Sequence, residues 1–123
     1  MRGLGLLLAI AVVLGGCATD LRGTRLALQT ETGPRAGACD QATVVTVRIT
    51  RDGDDLAFID GAGANVSIIW PFGFAAWLEY GAAVLYSRDG SVVGREGGIL
   101  DTIDAFADAA GFHVCKVGLR TYS

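Results

Sequence analysis

The stretch TVVTVRITR, residues 43–51, decides how the chain is to be read. Val45, Val47 and Ile49 alternate with Thr46, Arg48 and Thr50, so an extended backbone puts an apolar row on one face and a polar row on the other. Every residue in it except the two arginines is β-branched, which stiffens χ1 and suits a pleated, half-buried surface. Residues 43–51 are therefore a strand.

Working outward, Asp52-Gly53 is a turn and LAFID, 56–60, is the returning strand of a hairpin. Gly61 and Gly63 end it. NVSIIW, 65–70, is a third strand, stopped by Pro71, which has no N–H for a ladder. Gly73 permits a sharp turn into a strand over 74–80, and strands at 82–87 and 91–95 flank Asp89-Gly90, the clearest hairpin signal in the chain. DTIDAFADAA, 101–110, departs from this pattern. Ile103, Phe106 and Ala107 or Ala110 fall at helical spacing, Asp101 can cap the start and Gly111 the end, so a short helix is expected. Residues 112–117 close the fold as a strand, with Phe112, Val114 and Lys116 on one face and His113, Cys115 and Val117 on the other. The expectation is an all-β domain of six to seven short strands with one short helix before the last. Both a small OB-like β-barrel and a sandwich satisfy it.

The N-terminus carries a different kind of information. Arg2 and the start amine precede an almost unbroken apolar run over 4–14, the outline of a secretory signal peptide. The run is shorter than the about 20 residues that a membrane-spanning helix needs. It ends in LGGC, 14–17, which resembles the lipobox of bacterial lipoproteins: an apolar residue, two small ones and a Cys. The resemblance covers residues 1–17. It implies cleavage before Cys17, a diacylglyceryl group on its sulfur and further acylation of the new amine, an anchor strengthened by about 0.8 kcal/mol per buried methylene. Ala18 stands where inner-membrane retention commonly has Asp, implying sorting to the outer membrane in a cell with two membranes. Residues 17–38, with Gly33-Pro34 forbidding a continuous element, then read as a lipidated Cys and flexible tether, with room for one short strand over 24–29 where Leu26 and Leu28 alternate with polar neighbours. The division is a leader at 1–16, the tether at 17–38 and the β-domain at 39–123.

Three cysteines occur. With Cys17 consumed by lipid, Cys39 and Cys115 remain in a chain sent to an oxidising space, and a disulfide between them closes the domain end to end. A domain this small profits from such a staple. The alternative is a metal or redox site built on His113, Cys115 and Cys39, for which no third and fourth ligand is evident.

Residues 70–98 hold the most distinctive pattern, Trp70-Pro71-x-Gly73-Phe74 followed by Asp89-Gly90-x-Val92-Val93-x-x-Glu96-Gly97. It resembles a group of small bacterial envelope proteins with a compact β-barrel domain, over roughly 39–118. That resemblance implies a fold and no chemistry. Members usually have a Gly-rich link after the second motif, where this chain has DTIDAFADAA.

Function classes narrow by subtraction. A formal net charge of −3, with no basic stripe and interleaved aromatics, argues against a nucleic-acid partner. One His and no Gly-x-Ser-x-Gly or phosphate-cradling loop leave no ordinary nucleophile or nucleotide site, so an enzyme is not expected and no cofactor is assigned. Asp52, Asp54 and Asp55 lack the spacing of a calcium loop, and Glu79 and Glu96 have nothing that brings them together. In FAAWLEY, 74–80, alternation puts Phe74, Ala76, Leu78 and Tyr80 toward the core and Trp77 beside Glu79 outside. Trp77 and Phe72 are then the candidate surface for an envelope protein or cell-wall glycan, with Phe74 and Leu78 structural. The expected function is a lipid-anchored, non-catalytic envelope module. The alternative is a small metal-binding or redox lipoprotein.

Overall fold

The computed structural model describes residues 23–33, 39–118 and 120–122. The leader, the lipobox with Cys17, and residues 34–38 of the tether lie outside these. Ten strands are described: β1 (Thr24–Leu26), β2 (Thr43–Asp52), β3 (Asp55–Ile59), β4 (Ile68–Ile69), β5 (Ala75–Glu79), β6 (Ala82–Tyr86), β7 (Val92–Arg95), β8 (Ile99–Asp108), β9 (Gly111–Val117) and β10 (Arg120–Thr121). The β2 strand is the one expected from its alternation: Val47 and Ile49 are each 1 % exposed while Arg48 and Arg51 face water.

The strands form two sheets, β1-β5-β6-β7 and β10-β9-β8-β2-β3. In the second sheet, one edge of β9 is shared. Its first residues pair in parallel with β4 (Ile68 opposite Phe112, Ile69 opposite His113), and its last pair antiparallel with β10. The sheets are stitched along one side, where Ala27 N–H donates to the Asp54 carbonyl and Leu56 N–H donates to the Ala27 carbonyl. Among the described residues no ladder joins β7 to β10, so the sheets pack as a sandwich and do not close into a barrel. The β7–β8 turn crosses between them, held by Gly97 N–H donating to the Ile49 carbonyl and Ile49 N–H to that of Gly98.

The inner faces meet in one apolar core. Trp70, fully buried at its centre, lies 5.3 Å from Phe58 and 5.7 Å from Phe74 between ring centroids. Leu26, Val47, Ile49, Leu85, Ile103 and Val114 complete it. Leu26 belongs to residues assigned to the tether by sequence, yet β1 pairs with β5 and buries it, so the folded unit takes in chain ahead of Cys39.

The expected helix over 101–110 is not formed. That stretch is the body of β8, and two neighbours explain it: β2 pairs along one edge and β9 along the other, satisfying the backbone without an intrahelical ladder. A single helix of this length is marginal in water, so long-range pairing overrides a weak local preference. Ile103 and Ala105 point inward at period two, Asp104 and Phe106 outward, and Gly111 is a hairpin residue with φ 139° instead of a helix cap. Two face assignments also change. A register shift between β8 and β9 sets Asp104 opposite Lys116 but Ala105 opposite Val114, so Val117, and not Lys116, packs against the core with Phe112 and Val114. Tyr80, expected inside, is fully exposed because the strand ends at Glu79 and the chain turns.

Candidate functional site

Cys39 and Cys115 are bonded, with 5.9 Å between their Cα atoms. Cys39 begins a single 3-10 turn (Cys39–Gln41) that leads into β2, and Cys115 lies in β9, so the bond clamps the start of the long strand to the last full strand of its sheet. In the chain-entropy account a loop spanning a separation of 76 residues stabilises by about 4 kcal/mol.

Two residues before Cys115, on the same outer face of β9, sits His113. Its Nδ1 is 2.9 Å from Glu31 Oε2 and its Nε2 2.7 Å from Asp108 Oδ2. The Phe106 ring stacks on the imidazole, 4.7 Å away and 11° from parallel. An ionised carboxylate can only accept, so in each of these bonds that meets an ionised carboxylate the ring nitrogen is the donor. Asp108 also accepts from Ala110 N–H at 2.8 Å, and that bond first, with the His113 bond behind it, holds its carboxyl below the usual range. The cluster joins three parts of the chain: the 29–31 segment, the β8–β9 turn and β9. With both ring nitrogens hydrogen-bonded and both sulfurs in a disulfide, neither His113 nor the cysteines present a free donor. Among the described residues no group of three or more His, Cys, Asp or Glu is arranged to hold a metal ion.

The candidate binding residues occupy two separate places. Phe72, 43 % exposed, sits in the Pro71–Gly73 turn and lines a shallow hollow with Phe74, Arg88, Thr121 and Tyr122. Gly73 is required there: its φ is 89°, and a Cβ would run into the Arg88 side chain. Trp77 lies on the outer face of the first sheet, as the alternation in FAAWLEY implied, with Phe74 buried and Leu78 packed against the core. It is half-buried, because the Arg25 guanidinium lies 5.5 Å from the ring centroid and Val84 stands directly opposite on β6. Val84 is 1 % exposed although it faces away from the core, so Trp77 belongs to a small outer cluster as well as to the surface. Beside it Glu79 accepts a hydrogen bond from the Tyr86 hydroxyl.

The remaining acidic groups have local work. Glu96 accepts from Ala83 N–H at 3.0 Å and pairs with Arg51 at 3.3 Å, apart from Glu79, so the two glutamates form no carboxylate pair. Asp52, Asp54 and Asp55 make an exposed hairpin. Asp89 binds Arg120 at 2.6 Å and accepts from the Ser87 hydroxyl and Ser91 N–H, and the Arg120 bond above all holds its carboxyl far below the usual range.

The sequence pattern does not single out Glu31 or Arg25, and its alternation turns Tyr80 inward where the structure exposes it. Glu31 meets a partner 82 residues away, Arg25 meets Trp77 only after β1 pairs with β5, and the exposure of Tyr80 depends on where a strand stops. No protein-family model, curated protein or solved structure matches the chain.

Proposed function

We propose that the chain is an exported envelope lipoprotein, anchored through acylated Cys17 and carrying its β-sandwich as a non-catalytic binding module. The observation that carries this reading is the Cys39–Cys115 bond. A chain with an apolar leader ending in LGGC and its other two cysteines joined is suited to an oxidising compartment outside the cytoplasm. The outer membrane is the proposed destination in a cell with two membranes, given Ala18.

The test is Cys17→Ala. Intact mass of the wild type should show the leader removed, a lipid added and two hydrogens lost to the disulfide, and the protein should partition into detergent. The variant should accumulate as precursor or as a soluble exported form. A variant that still partitions at the mature mass would overturn the lipid anchor.

Trp77 and Phe72 are the proposed contacts for an envelope protein or cell-wall glycan, acting at two spots. Trp77→Ala and Phe72→Ala should each weaken capture of a partner by the tagged module, and unchanged capture by both would remove this part of the reading.

A further inference from the structure

The β5–β6 turn has two residues, Tyr80 and Gly81, with φ 52° and 81°. Positive φ at both central positions is the pattern of a type I′ hairpin turn, where Asn or Asp and then Gly are favoured. Gly81 suits it. Tyr80 does not: a bulky side chain in this region is strained, typically at about 1 to 3 kcal/mol. Its side chain is also fully exposed (102 %), ahead of every other large apolar residue described. The site therefore keeps a strained aromatic ring in water.

The position of this turn relates it to the membrane. Thr24 pairs with Leu78 and Arg25 with Trp77, so β1 begins beside the Tyr80 tip, and Gly23 is so close to the Leu78 carbonyl that no side chain fits there. Six Cα steps separate Gly23 from Cys17, a reach of at most about 22 Å. At the other end of β1, about 13 Å along the strand, Ala27 meets the acidic β2–β3 hairpin of Asp52, Asp54 and Asp55. One end of this edge thus presents a tyrosine, with a tryptophan, an arginine and a single carboxylate behind it, that of Glu79 held by the Tyr86 hydroxyl, and the other presents three carboxylates.

We infer that the Tyr80–Gly81 tip is a membrane-contact element, seated among the lipid headgroups of the bilayer that holds the acylated Cys17. The inference rests on the lipid-anchor reading. A ring with an apolar body and a polar tip is suited to the headgroup layer, and Arg25 is placed to meet lipid phosphates. The acidic hairpin would face away from an anionic surface, so the domain stands on the membrane in one orientation.

The test uses full-length lipidated protein in phosphatidylcholine–phosphatidylglycerol vesicles whose lipids are brominated near the headgroup. A Trp is placed at the tip by Tyr80→Trp or at the acidic hairpin by Asp54→Trp. The fluorescence added by Tyr80→Trp should be strongly quenched and that added by Asp54→Trp should not. Equal quenching of the two, or none for Tyr80→Trp, would overturn the inference. In the soluble Cys17→Ala form freed of its leader, Arg25→Gln should weaken sedimentation with the same vesicles about fivefold, and Tyr80→Asn should weaken it while the domain melts no lower than its parent. Unchanged sedimentation in both variants would also overturn it. The anchor is judged separately, by the lipid mass on Cys17: without that mass the anchor reading fails and the tip loses its tether, whatever the quenching shows.

Discussion

The β8–β9 and β5–β6 hairpins turn in the same number of residues and are built in opposite ways. At the first, Asp108 accepts from Ala110 N–H, Ser67 Oγ donates to the Ala110 carbonyl, Phe112 N–H donates to that of Ser67, and His113 reaches back to Asp108. At the second, a tyrosine stands in a left-handed conformation with its ring in solvent. One tip is bound into the fold by side chains from three regions. The other holds strain that adds nothing to folding, and such strain persists where another use retains it.

The largest expected effect tests the fastened side. Replacing Cys39 or Cys115 by Ser should cost about 4 kcal/mol, and at roughly 4 to 8 °C per kcal/mol the melting temperature should fall far enough to see in any thermal scan. A peptide map under non-reducing conditions that finds both thiols free would break the comparison at its strongest point. On the other hairpin, Leu78→Ala should cost about 2 kcal/mol, the low end for leucine truncation because the side chain is only partly buried. A negligible change in denaturant midpoint would mean that β5 contributes little to the core. Trp77→Ala should fall below this, since it uncovers Val84 without opening the core.

His113→Gln comes next. It gives up charge-assisted bonds and should cost about 1.5 kcal/mol, with faster amide exchange around Glu31 as the accompanying sign. Unaltered exchange there would show that the two His113 hydrogen bonds are incidental. Tyr80→Asn should act in the opposite direction, raising stability by about 1 kcal/mol by relieving the turn. A destabilised variant would mean that the ring makes contacts the comparison denies it. The smallest effect is given as a direction. Asp89 and Asp108 have folded pKa values below those of the unfolded chain. Their contribution is therefore complete above the unfolded value near 4 and is lost as pH falls through the folded values. Acid titration of stability should show this loss below about pH 4, and Asp89→Asn should reduce it.

What the sequence made legible follows the range of the interactions involved. The β2 strand, the Asp89-Gly90 turn and the inward set of Phe74, Ala76 and Leu78 depend on alternation and local turn chemistry, and all stand in the structure; the turn expected at Asp52-Gly53 falls one residue later, at Gly53-Asp54, with Asp52 paired to Asp55. The disulfide was legible for another reason: with one cysteine in the lipobox, two were left. The 101–110 stretch misleads because Asp-x-x-Asp with alanines satisfies helical spacing, while the strand's support comes from β2 and β9, far away in sequence. The same limit hides the Glu31–His113–Asp108 cluster: His113 draws notice as the one histidine, but its two carboxylate partners cannot be named until the 23–33 segment joins the sheets. Of the candidate site, the outward face of Trp77 was legible. Its cover by Arg25, the separation of Phe72 from it and the exposure of Tyr80 were not.

The separation of 76 residues between the bonded cysteines has a consequence for how the chain matures if it is exported as proposed. A chain threaded through a secretion channel from its N-terminus delivers Cys39 long before Cys115. During that interval the only other thiol of the chain on the far side is Cys17, a wrong partner 22 positions upstream. Acylation of Cys17 removes that thiol from competition and leaves a single pairing. The lipid would then serve oxidation as well as attachment: a chain whose acylation is delayed should accumulate Cys17–Cys39 crosslinks, and one acylated promptly should not.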